Sequence, residues 1–357
     1  MKNKDFVMWI DIIGGEMNKK RIIYFDVLNI LACIAVVALH CHGSFFEYEN
    51  SIEWKVTEAV QILAHWAVPV FFMLTGATLM GYREKYDTKK LFSRRVQRIV
   101  VPFLIWSTVF LIRGWVTGIH QYLGGRDLIG KYLSGGILGI YWFFYPLFAV
   151  YLSLPVLSVL AEEKNKKILE YTIGIGFLCY SVMPVVSILT QIPYNDSLQL
   201  PVAGGYVLYV LTGYYMSHTA FSKKIRYFIY AGGIVGAAFM WLLTHWYTVR
   251  DGFASELFLD YKYCFSFAMA VGLFELCKNI PWEKFWHEKG QKVLGVIAQS
   301  SFGVYLIHIY FVEKYFEYMQ GIHPILNMEL GTILIYGGCV LIVMLVKKIP
   351  GGKILFP

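Results

Sequence analysis

The sequence predicts an all-α fold: a polytopic membrane bundle of about ten transmembrane helices, with both termini in the cytoplasm. Two observations carry this. Only 16% of the 357 residues are charged and 57% are hydrophobic, with a mean hydropathy of +0.53, whereas a soluble domain carries about 25% charge. The chain also divides into apolar runs near the roughly 20 residues a bilayer core demands of a helix, separated by loops that alternate between rich and poor in Lys and Arg.

The runs lie at about 22–41, 57–80, 99–118, 136–159, 168–189, 201–217, 227–247, 261–278, 293–313 and 327–346. The sixth is short and Gly-rich, and "AQSS" interrupts the ninth. The N-terminal flank holds Lys19, Lys20 and Arg21; the loop after the first run holds Lys55 alone; the next, "YREKYDTKKLFSRRVQR", is strongly basic. The alternation continues to Lys347, Lys348 and Lys353, and basic loops face the cytoplasm. The net charge of +8 is dispersed among these loops, so nucleic acid is excluded as a partner and the lipid bilayer is the expected one. The 26 Tyr, 26 Phe and 10 Trp suit interfacial belts. The six cysteines lie in or beside apolar runs without a CxxC pair, so they read as small buried hydrophobes rather than disulfides or metal ligands. No internal repeat is evident, which weakens a reading as a secondary transporter. Residues 1–16, "MKNKDFVMWIDIIGGE", have no signal-peptide h-region; translation is expected to start at Met17, with residues 17–357 forming one transmembrane domain.

Ionisable groups inside spans are costly and point to function. In "FDVLNILACIAVVALHCHG", at 100° per residue, Asn29, Cys33 and His40 fall within roughly 60° of Asp26 and form one polar stripe. Asp26 and Asn29 sit at the cytoplasmic end, and His40 lies eleven residues beyond Asn29, about 16 Å along the axis. Hydrogen bonding between helices is the plain alternative for Asn29 and Cys33, and pairing with a nearby Lys or Arg for Asp26. His40, with an ordinary pKa near 6.5, suits proton transfer. His42 points away from the stripe if the helix continues, and no metal site is expected. Glu275, Arg113, His65 and His308 are further intramembrane polar groups. Each also fits a satisfied structural role, and Trp142 and Tyr145 fit a belt or core.

Five segments in order resemble the membrane acyltransferase family 3, the integral-membrane O- and N-acyltransferases of bacteria and animals: "FDVLNILACIAVVALH", "VPVFFMLTGATLM", "RRVQRIVVPFLIW", "YWFFYPLFAVYLSLPVL" and "SSFGVYLIHIYF". The resemblance runs from Arg21 to the tail. It implies that His40 is the catalytic histidine and that Arg95 and Arg98 engage the acyl donor, with Arg94 beside them. It implies a multi-pass protein of the bacterial cytoplasmic membrane. No resident cofactor is implied; acyl-CoA, such as acetyl-CoA, is the co-substrate, and an envelope glycan or small molecule is the acceptor. Self-association into a homo-oligomer is compatible with such a bundle. The sequence departs from the family at Asn29, where an Arg is usual. Arg21 substitutes for that charge, or Asn29 only hydrogen-bonds, or the branch differs in donor or activity. Asn29, Tyr145 and His308 are candidate oxyanion donors, with Trp142 and Glu275 also placed in the substrate region. A second function class, a transport or sensing module on the same bundle, for example for amino-acid uptake, stays open at this point.

Overall fold

The computed structural model describes residues 21–121, 124–198 and 203–357, and all regular structure in them is helical. The proposed extension 1–16 lies outside these residues. Helix α1, Ile23–Cys41, carries Asp26 in its first turn, where a carboxylate complements the helix dipole. Helix α2, Ile52–Leu63, starts at Ser51, whose hydroxyl accepts from Trp54 N at 3.1 Å. It gives way at Ala64–Trp66 to α3, Ala67–Leu79. Pro69 explains the break, because it has no N–H to offer the His65 carbonyl four residues back.

Helix α4, Thr88–Arg95, is capped by Asp87 through Lys90 N at 2.7 Å. It runs through a π-turn, Val96–Val100, into α5, Val101–Val116. A second π-turn, Phe177–Val182, joins α8, Lys166–Gly176, to α9, Met183–Thr190. Each π-turn is followed by a proline, Pro102 or Pro184. Proline leaves the carbonyl four residues back without its donor, and a locally widened turn is the usual accommodation. Between these pairs lie α6, Gly125–Ser134, and α7, Phe144–Leu157. The rest comprises α10, Val207–His218; α11, Lys223–Asp251; α12, Cys264–Asn279; α13, Trp282–Phe285; α14, Glu288–Tyr318; α15, Pro324–Val346; and α16, Gly352–Leu355.

Among the described residues, eight helical stretches are long and apolar enough to cross a membrane. They match eight of the ten expected runs. The sixth and eighth runs are α10 and α12, of 12 and 16 residues. At 1.5 Å per residue α10 is about 18 Å long, short of a hydrocarbon core of about 30 Å. It is almost wholly buried, with Leu208, Tyr209, Val210 and Leu211 each at 1% exposure or less. "AQSS" does not break the ninth run: α14 is continuous over 31 residues. Ser300 donates its hydroxyl proton to the Val296 carbonyl at 3.0 Å, which satisfies the polar group within its own helix.

Between lipid-embedded helices the hydrophobic effect offers little, so close packing of small residues takes over. Helices α3 and α10 touch backbone to backbone: a Cβ on Gly76 would lie 1.8 Å from the Val210 carbonyl oxygen, and one on Gly213 would lie 2.0 Å from that of Met73. Helices α11 and α12 approach through Gly233 and Gly272 in the same way. Helix α1 is central and packs on α14, α3 and α15. Ser44, Thr57, Glu53 and His323 meet at one end of the bundle. Arg21, Arg95, Arg98 and Lys353 meet around one cavity elsewhere, so the basic segments singled out in the sequence gather in space.

Candidate active site

The polar stripe of α1 faces α14 along much of its length. The Arg21 guanidinium forks onto Asp26, Nη2 to Oδ1 at 3.0 Å with Nε on Oδ2, and donates to the Gly295 carbonyl at 2.8 Å. Asn29 Nδ2 donates to the Ala298 carbonyl at 2.9 Å, and Cys33 Sγ to that of Ser301 at 3.6 Å. At the far end the His40 ring lies against His308, with centroids 5.2 Å apart. Three of the four residues of the helical wheel therefore meet one partner helix in register, and Asp26 reaches it through Arg21. Asn29 and Cys33 join the two helices, and Asn29 also lines a cavity.

That cavity has a volume of ≈ 1070 Å³. Its cations are Arg21, Arg95, Arg98 and Lys353; its single acid among the lining residues is Asp26, already bound to Arg21. Gln97, Gln299, Thr75, Thr78, Asn29 and Ser301 add neutral polar groups. Its apolar wall includes Phe71, Phe143, Leu147, Phe302 and Tyr305. Arg95 stands over Tyr151, guanidinium carbon to ring centroid 5.7 Å, and its Nε is buried without a hydrogen-bond partner. A buried donor of that kind asks for a ligand or water. Arg95 and Arg98 are three residues apart, neighbours on one helical face, and both line the same space.

The expected site residues divide into those the cavity gathers and those it does not. Asp26, Asn29, Arg95 and Arg98 line it; Arg21, the substitute considered for the missing charge at position 29, lines it as well. Arg94 stacks on Tyr86 at 4.7 Å, away from the lining. Tyr145 commits its proton to the Tyr132 carbonyl at 2.5 Å. Trp142 stacks on Tyr261 at 5.7 Å, which in turn stacks on His65 at 4.1 Å. His65 Nε2 also donates to the Leu259 carbonyl at 2.8 Å, while its Nδ1 is buried without a partner. Glu275 accepts from Asn279 at 2.7 Å, and Lys278 beside it donates to the Met216 carbonyl, so this group ties α12 to α10. Arg113 pairs with Glu313 at 2.5 Å, joining α5 to α14.

His40 and His308 lie beyond the lining. Tyr305, which does line it, touches His308 at a centroid distance of 5.8 Å. His308 is fully buried, and its Nδ1 donates to the carbonyls of Tyr305 at 2.8 Å and Val304 at 3.1 Å. Carbonyls only accept, so the proton sits on Nδ1 and Nε2 carries a lone pair. That Nε2 is buried without a partner. His42 caps α1, bonding the Ala38 carbonyl at 2.9 Å, and turns towards α15 with Nε2 3.7 Å from Glu329.

Residues 22–346 match the profile of the acyltransferase 3 family, described as an acyltransferase domain. The chain belongs to that family. No curated protein and no solved structure compared with it matches. The acyltransferase is thus a multi-pass membrane enzyme that moves an acyl group from a donor to an acceptor; the polar stripe and the paired histidines fall within the matched segment, and the cavity also draws Arg21 and Lys353 from just outside it. Sequence reasoning missed Thr75, Thr78 and Tyr305 of this acyltransferase. Phe71, Thr75 and Thr78 recur at i, i+4 and i+7, a spacing that puts them on one face of α3 and that helical periodicity alone would have found. Lys353 gives no such signal.

Proposed function

We propose that the protein transfers an acyl group, acetyl in the simplest case, from cytoplasmic acyl-CoA to a hydroxyl or amine of a cell-envelope glycan or related small acceptor, in a bacterial cytoplasmic membrane. The observation that carries this is the cationic cavity adjoining the α1 stripe, with two histidines beyond its inner wall. The donor's nucleotide end is multiply anionic, and arginine's planar fork suits phosphate. Arg21 supports the reading at the family's position of departure: it brings a guanidinium beside Asn29, restoring a charge the local sequence lacks. The apolar wall of Phe143, Leu147 and Phe302 suits a pantetheine arm on its way towards Tyr305.

In this reaction His40 removes the proton from the acceptor hydroxyl. The oxygen attacks the thioester carbonyl, the C–S bond breaks, and the thiolate leaves and is protonated. A second N–H of Asn29, beyond the one bonded to Ala298, is free to donate to the donor. His308 holds its proton on Nδ1 and offers only a lone pair at Nε2, so it accepts a proton or an acceptor hydrogen bond near His40 rather than donating to an oxyanion.

Purified protein in liposomes tests the reading: acetyl-CoA should release free thiol, and label from the acetyl group should appear on added glycan. Labelled amino-acid uptake with no thioester cleavage would replace it with the transport reading. Arg21→Gln is expected to raise the KM for donor roughly tenfold, the loss of one charge-assisted contact, with kcat nearly unchanged. Gly295→Ala should act in the same direction, because the added Cβ would fall 2.3 Å from Arg21 Nη1 and displace the guanidinium. Steady-state kinetics on both variants checks this, and an unchanged KM in Arg21→Gln would remove Arg21 from the donor site.

A further inference from the structure

The chain after α15 lies outside the family-matched segment, yet it builds part of the cavity. Gly351 adopts a left-handed backbone, φ 81°, and turns the chain back. Gly352 then passes so close to the end of α15 that a Cβ would meet the Val346 carbonyl oxygen at 1.8 Å. The tail is anchored on two sides. Phe356 is buried and stacks on Trp106 of α5 at 5.3 Å, while Trp106 Nε1 donates to the Leu355 carbonyl at 3.3 Å. Lys347 Nζ donates to the Gln299 carbonyl of α14 at 2.9 Å and to the Pro357 carbonyl at 3.2 Å. This brings Lys353 and Ile354 into the cavity lining with Arg95 and Arg98.

Among the described lining residues, no side-chain carboxylate is left to pair with Arg95, Arg98 or Lys353. Asp26, the one acid of the described lining, is paired with Arg21. Burial, and secondarily the nearby Lys353 ammonium, lower the Lys347 pKa to about 8. Lys353, Arg95 and Arg98 share the lining, and the buried Nε of Arg95 has no hydrogen-bond partner; an anion would relieve both the like charge and the orphaned donor.

We propose that Lys353, held in place by the folded-back tail, binds a phosphate of the donor's nucleotide end, and that the tail thereby sets a preference for nucleotide-bearing thioesters over bare pantetheine thioesters. This rests on the acyl-CoA reading of the cavity. Lys353 is a specificity-determining residue here; it lies at the opening segment of the donor path and takes no part in proton transfer at His40.

The test compares acetyl-CoA with acetyl-pantetheine, which lacks the phosphates, using the full chain in liposomes and following thiol release. Lys353→Gln should raise the KM for acetyl-CoA roughly tenfold or more and leave the rate on acetyl-pantetheine as it was. Lys353→Arg should restore the acetyl-CoA KM. Phe356→Ala, which frees the tail from Trp106, should reproduce the Lys353→Gln pattern while the protein still melts cooperatively. Equal effects of Lys353→Gln on both donors, or none on either, would overturn the proposal while leaving the donor reading standing. If the unmodified protein cleaves neither thioester, the donor reading fails and this proposal falls with it.

Discussion

His40→Ala is expected to lower acyl transfer about 10²–10⁴-fold, the range that loss of a positioned general base produces. The fold should survive the change. His40 is part-exposed and its ring lies against His308, so truncation removes a ring contact and leaves no buried charge behind. Donor affinity should survive as well. His40 lies about 16 Å along α1 from Asn29 and outside the cavity lining, so its loss should fall on kcat and not on the KM for donor. His40→Gln keeps much of the volume and a polar tip but cannot accept a proton at neutral pH; it should be as inactive as alanine. Initial rates of thiol release and of acetyl appearance on the acceptor, measured beside a thermal melt in detergent, check these outcomes. Turnover retained in a well-folded His40→Ala protein would transfer the base role elsewhere, and His308 with its orphaned lone pair would be the next residue to substitute.

Gly76→Ala is expected to destabilise the bundle by about 1–3 kcal/mol, the usual cost of forcing atoms into a packed core. Gly76 opposes backbone, which cannot rotate away as a flexible side chain would. Gly213→Ala, one turn from Val210 on the opposite helix, should cost a similar amount. The double variant should cost less than the sum, because separating α3 and α10 to admit one methyl group also makes room for the other. Denaturation in detergent across the four proteins measures the coupling. A Gly76→Ala protein as stable as the parent would mean that the two backbones do not meet as described. Activity should fall with either change: α3 carries Phe71, Thr75 and Thr78 along the cavity, and a shift of that helix moves a whole wall.

The legibility of this molecule was uneven for physical reasons. The wheel of Asp26, Asn29, Cys33 and His40 could be drawn from residue spacing because an α-helix has one period, and the structure puts Asn29, Cys33 and His40 against α14, with Asp26 linked to it through Arg21. Three of the basic segments noted in the sequence, those of Arg21, of Arg95 and Arg98 and of Lys353, meet around one cavity. Helix continuity was less readable. The serines of "AQSS" look like an interruption to a hydropathy count, but Ser300 returns its hydroxyl to Val296. Length was misjudged for α10, a helix of 12 residues whose run from Leu208 to Gly213 is buried in protein.

Composition and periodicity by themselves determined that this is a polytopic helical membrane protein with one polar stripe on its first helix, because the bilayer restricts a chain to helices of limited length and penalises every stray polar group. They could not determine which of many cations share a cavity. Arg21, Arg95, Arg98 and Lys353 are as much as 332 positions apart in the numbering, between Arg21 and Lys353. The packing of α1 and α14 and the return of the tail onto Trp106 bring them around one space. Those are contacts between segments remote in sequence, and no local pattern encodes a partner that the chain meets only when folded.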